Sequence, residues 1–190
     1  MRKTIASMML SVAVFAAAAT VAADEYKVDA VHSSAIFRIK HMNVSYSYGR
    51  FNDISGTIKW DDEKTAESSL KVEVKVASID TADAKRDAHL KSADFFDAEK
   101  HPTITFQSKS IKKTGDNKYE VAGELTLHGV TKPLTISLDK TGAGADPWGG
   151  NRAGFETTFT IKRSEFGMDK MLTGAGDEVR MIVSLEGVKQ

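Results

Sequence analysis

From Leu70 to Val76 the chain reads Leu-Lys-Val-Glu-Val-Lys-Val, with an apolar residue at every second position and a charged one between. A β-strand sends successive side chains to opposite faces, so this period fits a strand with one dry and one wet face. The same alternation recurs along most of the chain. Tyr26, Val28 and Ala30 alternate with Lys27 and Asp29, and Ala35, Phe37 and Ile39 with Arg38 and Lys40. Ile58 and Trp60 flank Lys59; Ile104 and Phe106 alternate with Thr103, Thr105 and Gln107. Further runs contain Tyr119 to Leu127, Leu134 to Leu138, Phe155 to Ile161 and Val179 to Leu185. Parallel sheets covered by helices would read as continuous apolar runs. The expected architecture is therefore all-β: eight or nine antiparallel strands, closed as a barrel or stacked as a sandwich.

Turn chemistry separates the runs at Trp60-Asp61-Asp62, Thr114-Gly115-Asp116-Asn117 and His128 to Pro133. The Gly-rich stretch TGAGADPWGGNRAGF reads as a long loop leading into the Phe155 strand. Only Thr81 to about Leu90 has helical character, with Thr81 as the expected cap. This short helix and the turn after it, RDAHLKSADFFD, join two strands at one rim of the sheet.

The first 23 residues have another composition. Arg2 and Lys3 precede an apolar run from Ile5 to Val21, and Val21-Ala22-Ala23 ends it before Asp24. This is the layout of a secretory signal, with cleavage expected after Ala23. Residues 24–190 then form one domain, expected in the periplasm without a stable membrane anchor. Without Arg2 and Lys3, 24 basic side chains face 26 acidic ones, which argues against nucleic acid and anionic membrane surfaces as long-range electrostatic partners. The chain has no cysteine, hence no disulfide framework, thiolate site or lipoprotein anchor.

Candidate chemistry is sparse. His32, His41, His89, His101 and His128 show no HxH, HxxxH or HExxH spacing, so no metal site is expected. No GxSxG elbow, phosphate loop or facing carboxylate pair is present, so neither catalytic residues nor a cofactor are expected. The inward-facing apolar residues leave two readings open, because eight-stranded barrels occur both filled and hollow.

Several segments, taken together, resemble the YceI-like family of exported bacterial proteins: HSSAIFRIKHMNVSYSYGRF, SIDTADAKRDAHLKSADFFDAEKHPTITF, GELTLHGVTKPLTI, DPWGGNRAGFE and EVRMIVSLEGV. The resemblance implies an extended lipocalin-like eight-stranded antiparallel barrel with one short helix at the rim, and an elongated hydrophobic pore for a polyisoprenoid or similar lipid. On that basis the expected partner is a long-chain isoprenoid or fatty lipid; a second copy of the chain is kept open as another.

Strand parity then nominates Phe37, Ile39, Val72, Val74, Ile104, Phe106, Leu125, Leu127, Phe155 and Phe159 as pore lining, joined by Phe51, Phe95 and Phe96. Arg86, His89 and Lys91 are candidates to receive a polar head group; the competing reading is a Phe plug beside solvated charges. Arg152 is a further candidate, as well suited to pairing with a structural carboxylate. The alternatives to a carrier are an enzyme acting on such a lipid, or a filled barrel that works through its outer surface in envelope stress.

Overall fold

The structure is a computed structural model that describes residues 23–190; the signal-like segment lies outside the described residues, apart from Ala23. Eleven strands form one antiparallel sheet: β1 (Asp24–Val28), β2 (Ser34–His41), β3 (Ser45–Phe51), β4 (Ile54–Trp60), β5 (Ser69–Lys75), β6 (Ile79–Asp80), β7 (Thr103–Gly115), β8 (Lys118–Leu127), β9 (Val130–Ala145), β10 (Asn151–Lys162) and β11 (Ala175–Lys189). One helix, α1 (Ala84–Lys91), lies between β6 and β7. No helix among the described residues is long and apolar enough to cross a membrane.

Closure follows from the long strand β11, which has different partners along its length. Its C-terminal end pairs with β1, Val28 opposite Gly187, and β1 pairs in turn with β4. That seam closes an eight-stranded barrel in the order β1-β4-β5-β7-β8-β9-β10-β11. The N-terminal half of β11 pairs instead with β2, which carries β3 and the short β6. One end of the molecule is thus a closed ring, while the other is extended by a hairpin and overlaid by α1 and the segment after it.

Two expectations need correction, and one strand has no counterpart among them. β3 carries no apolar alternation: Ser47 and Gly49 occupy the inward positions, so the period was invisible. Gly49 is required there, because a Cβ would lie 2.3 Å from Cζ of Phe37. The Gly-rich stretch is no long loop. β9 runs to Ala145, β10 begins at Asn151, and the turn between them is held by Asp146 Oδ1, which accepts from Trp148 N (2.9 Å) and Gly150 N (2.8 Å). Residues 141–145 are exposed on both faces, which removes the pattern a strand normally writes into sequence. Finally, Asp83 rather than Thr81 caps α1, accepting from Arg86 N at 2.9 Å. Thr81 is buried, and its hydroxyl donates to Asp87 Oδ1 at 2.5 Å.

The β8–β9 connection is tighter than the sequence suggested. Only His128 and Gly129 lie between the strands, with φ of 52° and 73°. Two consecutive positive values suit the mirror-image turn that matches strand twist, and glycine adopts its half without steric cost.

Candidate functional site

The two ends of the barrel are packed differently. At the closed end, Trp60 lies edge-on to Tyr119 and tilted against Phe155, both at 4.7 Å between ring centroids. Phe155 and Ile58 are fully buried there. The indole N–H donates to Asp62 Oδ1 at 2.8 Å, and Lys140 Nζ binds the same carboxylate at 2.6 Å. The indole N–H and the Lys140 ammonium of this floor thus share one carboxylate.

Above the floor the barrel is hollow. A cavity of about 540 Å³ extends from Ile54, Leu70 and Leu138 to Met42 and Met171 at the rim. That volume lies within the roughly 300–1,000 Å³ of small-molecule sites, which are mostly apolar with few polar groups. The wall consists of inward positions of β2 to β5 and β7 to β11, and it is closed from above by Leu90, Phe95 and Phe96.

Phe37, Ile39, Phe51, Val72, Val74, Phe95, Phe96, Ile104, Phe106, Leu125, Leu127 and Phe159 all lie on the cavity wall. Phe155 does not. It points inward as its parity requires, but below the cavity, where Trp60 covers it. Periodicity reports the face of a strand and carries no information on height along the barrel. The wall also includes Leu134, Ile136, Leu138, Ile161, Met181 and Val183, which were not nominated. Their alternation was already legible, so parity applied to every strand would have found them.

The aromatic pair after α1 divides its work. Phe96 packs edge-on to Phe51 at 5.8 Å and contributes to both buried clusters, whereas Phe95 sits against the His89 ring at 5.0 Å. Arg86 and His89 reach the cavity rim. Arg86 is already bonded, with Nε donating to Thr81 Oγ1 at 2.7 Å and Nη2 to Thr81 O at 2.6 Å. His89 Nε2 lies 3.0 Å from Asp94 Oδ2.

Lys91 lies off the wall, and so does Arg152. Arg152 instead binds Asp29 Oδ2 (2.8 Å), Glu186 Oε1 (2.5 Å) and Asp146 Oδ2 (3.1 Å). It ties the turn before β10 to β11 and to the connection after β1. Hydrogen bonds from His32 and then Arg152 hold the Asp29 carboxyl well below the ordinary carboxylate range. Asp29, His32 and Glu186 bring ligand-type atoms within 4.8 Å of one another, and the Arg152 guanidinium lies against both carboxylates.

The structure adds a residue that sequence reasoning missed. Arg163, just after β10, is 4 % exposed and borders the cavity. Burial lowers its pKa, and its guanidinium donates to Met168 O (2.6 Å), Ala175 O (2.7 Å) and Gly176 O (2.9 Å). It clamps the 167–174 loop to the start of β11 at the mouth. Thr157, buried on the wall, likewise donates to Ser137 O at 2.6 Å. Neither side chain is positioned as a general acid or base.

The family model of the YceI-like domain matches residues 26–187. The chain belongs to the YceI-like family. Curated relatives include a UPF0312 protein of Pseudomonas aeruginosa, 44 % identical over 192 residues, and protein YceI of Escherichia coli O157:H7, 43 % identical; each alignment covers 100 % of both chains. Among solved structures, BcnA of Burkholderia cenocepacia is 31 % identical with a TM-score of 0.76, covering 84 % of this chain and 98 % of that one. A YceI protein of Campylobacter jejuni is 32 % identical with a TM-score of 0.71, covering 80 % and 90 %. A polyisoprenoid binding domain from Saccharophagus degradans shares the fold at 15 % identity and a TM-score of 0.70, covering 87 % and 98 %. The fold is thus the YceI-like barrel, with β2, β3 and β6 added to the eight-stranded ring.

Proposed function

We propose that the protein is a non-catalytic, exported carrier that holds a long-chain isoprenoid or similar lipid inside the barrel. The observation that carries this reading is the apolar cavity of about 540 Å³, open at the β2–β3 end and floored by Trp60. Burying each methylene-sized group contributes about 0.8 kcal/mol, so a long tail supplies ample gross energy even after association and chain ordering are subtracted. A polar head would stay at the rim, near Arg86 and His89. The hollow interior removes the premise of the filled-barrel alternative. The bonded state of Arg163 and Thr157 speaks against a catalytic group on the wall.

The binding named for the Saccharophagus degradans domain supports the ligand class. The signal-like residues 1–23 support export, and the periplasm is the compartment in which a carrier for an insoluble tail is needed. Native mass spectrometry of the purified protein, followed by organic extraction, tests the proposal. A co-purified lipid returned unchanged is the expected result. Conversion of the lipid on incubation would move the reading to an enzyme, and a barrel that stays empty against a panel of isoprenoid and fatty lipids would overturn it.

A further inference from the structure

The charge of the mature chain is close to balanced, yet its unpaired cations are not evenly spread. On the outer face of the β2–β3 extension, Arg38 lies directly opposite Arg180 of β11 and Tyr48 of β3, and Lys40 lies opposite Tyr46. The Tyr46 ring is contacted by two cations, with Arg38 Cζ at 4.1 Å and Lys40 Nζ at 4.7 Å from its centroid. Arg50 stands on the same face, two residues along from Tyr48. None of Arg38, Lys40, Arg50 and Arg180 forms an ion pair among the described residues, and Arg38 Nε is buried without a hydrogen-bond partner there. Two acids share the face, Asp80 opposite Arg50, which accepts from Ala82 N and Asn52 Nδ2, and Glu178 two residues from Arg180, so four cations outnumber two acids there. Like charges placed directly across a ladder destabilise it, so the fold carries this face at a cost.

The adjoining rim is apolar. Met42 and Val44 at the hairpin tip are 63 % and 83 % exposed, and Met171 and Leu172 on the neighbouring loop are 55 % and 40 % exposed. Met42 N donates to Gly174 O at 2.8 Å, which joins the two loops into one edge of the cavity mouth. The tip turn places Met42 and Asn43 at φ of 47° and 58°. A left-handed methionine is uncommon, since such positions favour Gly or Asn, and here it presents a large apolar side chain to solvent.

We infer that this face docks on an anionic phospholipid bilayer, with the apolar rim entering the headgroup boundary and the cavity mouth opening onto the lipid. Exposed apolar tips backed by Lys, Arg and Tyr are the chemistry that recognises such a surface. The overall charge balance is compatible with docking because screening confines the interaction to about 8–10 Å, so the local face decides it. The inference rests on the carrier reading only for its purpose; docking itself needs no ligand.

Sedimentation of the purified protein with phosphatidylcholine vesicles, with and without phosphatidylglycerol, tests the inference. Binding is expected only with phosphatidylglycerol and is expected to weaken as salt rises. Each cation near an anionic surface is worth about fivefold, so Arg50→Glu with Arg180→Glu should weaken partition by at least ~25-fold. Lys27→Glu with Lys112→Glu, the same charge change on cations remote from the hairpin, should leave it within about twofold. Val44→Asp should also reduce binding while leaving uptake of a fluorescent lipid from vesicle-free solution unchanged. Loss of uptake in the unaltered protein would instead defeat the carrier reading alone. No binding to phosphatidylglycerol vesicles, or equal loss in both double variants, overturns the docking inference. So does a dimer in sedimentation velocity that Val44→Asp dissociates, because a second copy would then cover the face.

Discussion

The two ends of this barrel are made by the same strands and yet do opposite things with inward-facing aromatic residues. At the closed end, Trp60 packs against both Phe155 and Tyr119, and all three are buried. Four residues along the same strand and on the same face, Phe159 borders the cavity. The difference comes from what stands across the barrel. β1 and the end of β4 bring Tyr26, Ile58 and Trp60 to the closed end, whereas the other end has Ser47 and Gly49 of β3 among its inward positions. Small inward residues and a hairpin that extends the wall leave the interior unfilled.

That contrast predicts a graded set of responses. Phe155→Ala should cost about 3–5 kcal/mol, because the floor cannot collapse into the vacancy, while Phe159→Ala should cost about 1 kcal/mol by enlarging an existing void. Urea unfolding of both variants measures the ratio, and equal losses would mean that the two ends are packed alike. Arg152→Met should lower the melting temperature by several degrees without changing lipid uptake, since Arg152 joins chain segments away from the cavity.

The same network sets a pH signature. Asp29 is held below the ordinary carboxylate value in the folded state, so its stabilisation is complete above a pH of about 3.9 and is lost as the pH falls below that toward the folded-state value. Thermal melts from neutral to acid pH should show this loss, and Asp29→Asn should flatten the acid limb. At the open end, Val183→Phe should change stability by only about 1 kcal/mol, because the new ring enters a void, while weakening lipid uptake by about tenfold. The smallest expected effect is Asp83→Ala, a loss of about 1 kcal/mol confined to α1 and read by faster amide exchange across Ala84–Lys91.

The strands with one apolar face were legible because a half-buried strand writes its period into sequence. β3 and the far end of β9 were hidden for the converse reason: where a strand turns Ser and Gly inward, or projects with both faces wet, no period remains. Wall residues were legible as faces. Phe155 was placed on the wall because height along the barrel is set by register, which the alternation does not encode. Lys91 and Arg152 show the same limit for charges, since Arg152 found carboxylates from three separate segments.

The sequence by itself determined an antiparallel β-fold with one dry face, a short helix before Phe95 and Phe96, and the lack of any spaced catalytic or metal motif. Those features are local, fixed by which residue follows which. Only the tertiary structure decided that the barrel is hollow, that Trp60 and Phe155 floor it, that Arg163 clamps its mouth, and that four cations without an ion pair among the described residues gather beside an apolar rim. Each of these depends on side chains from distant strands meeting at one height, and long-range pairing, closed by β1 against β11, sets that height.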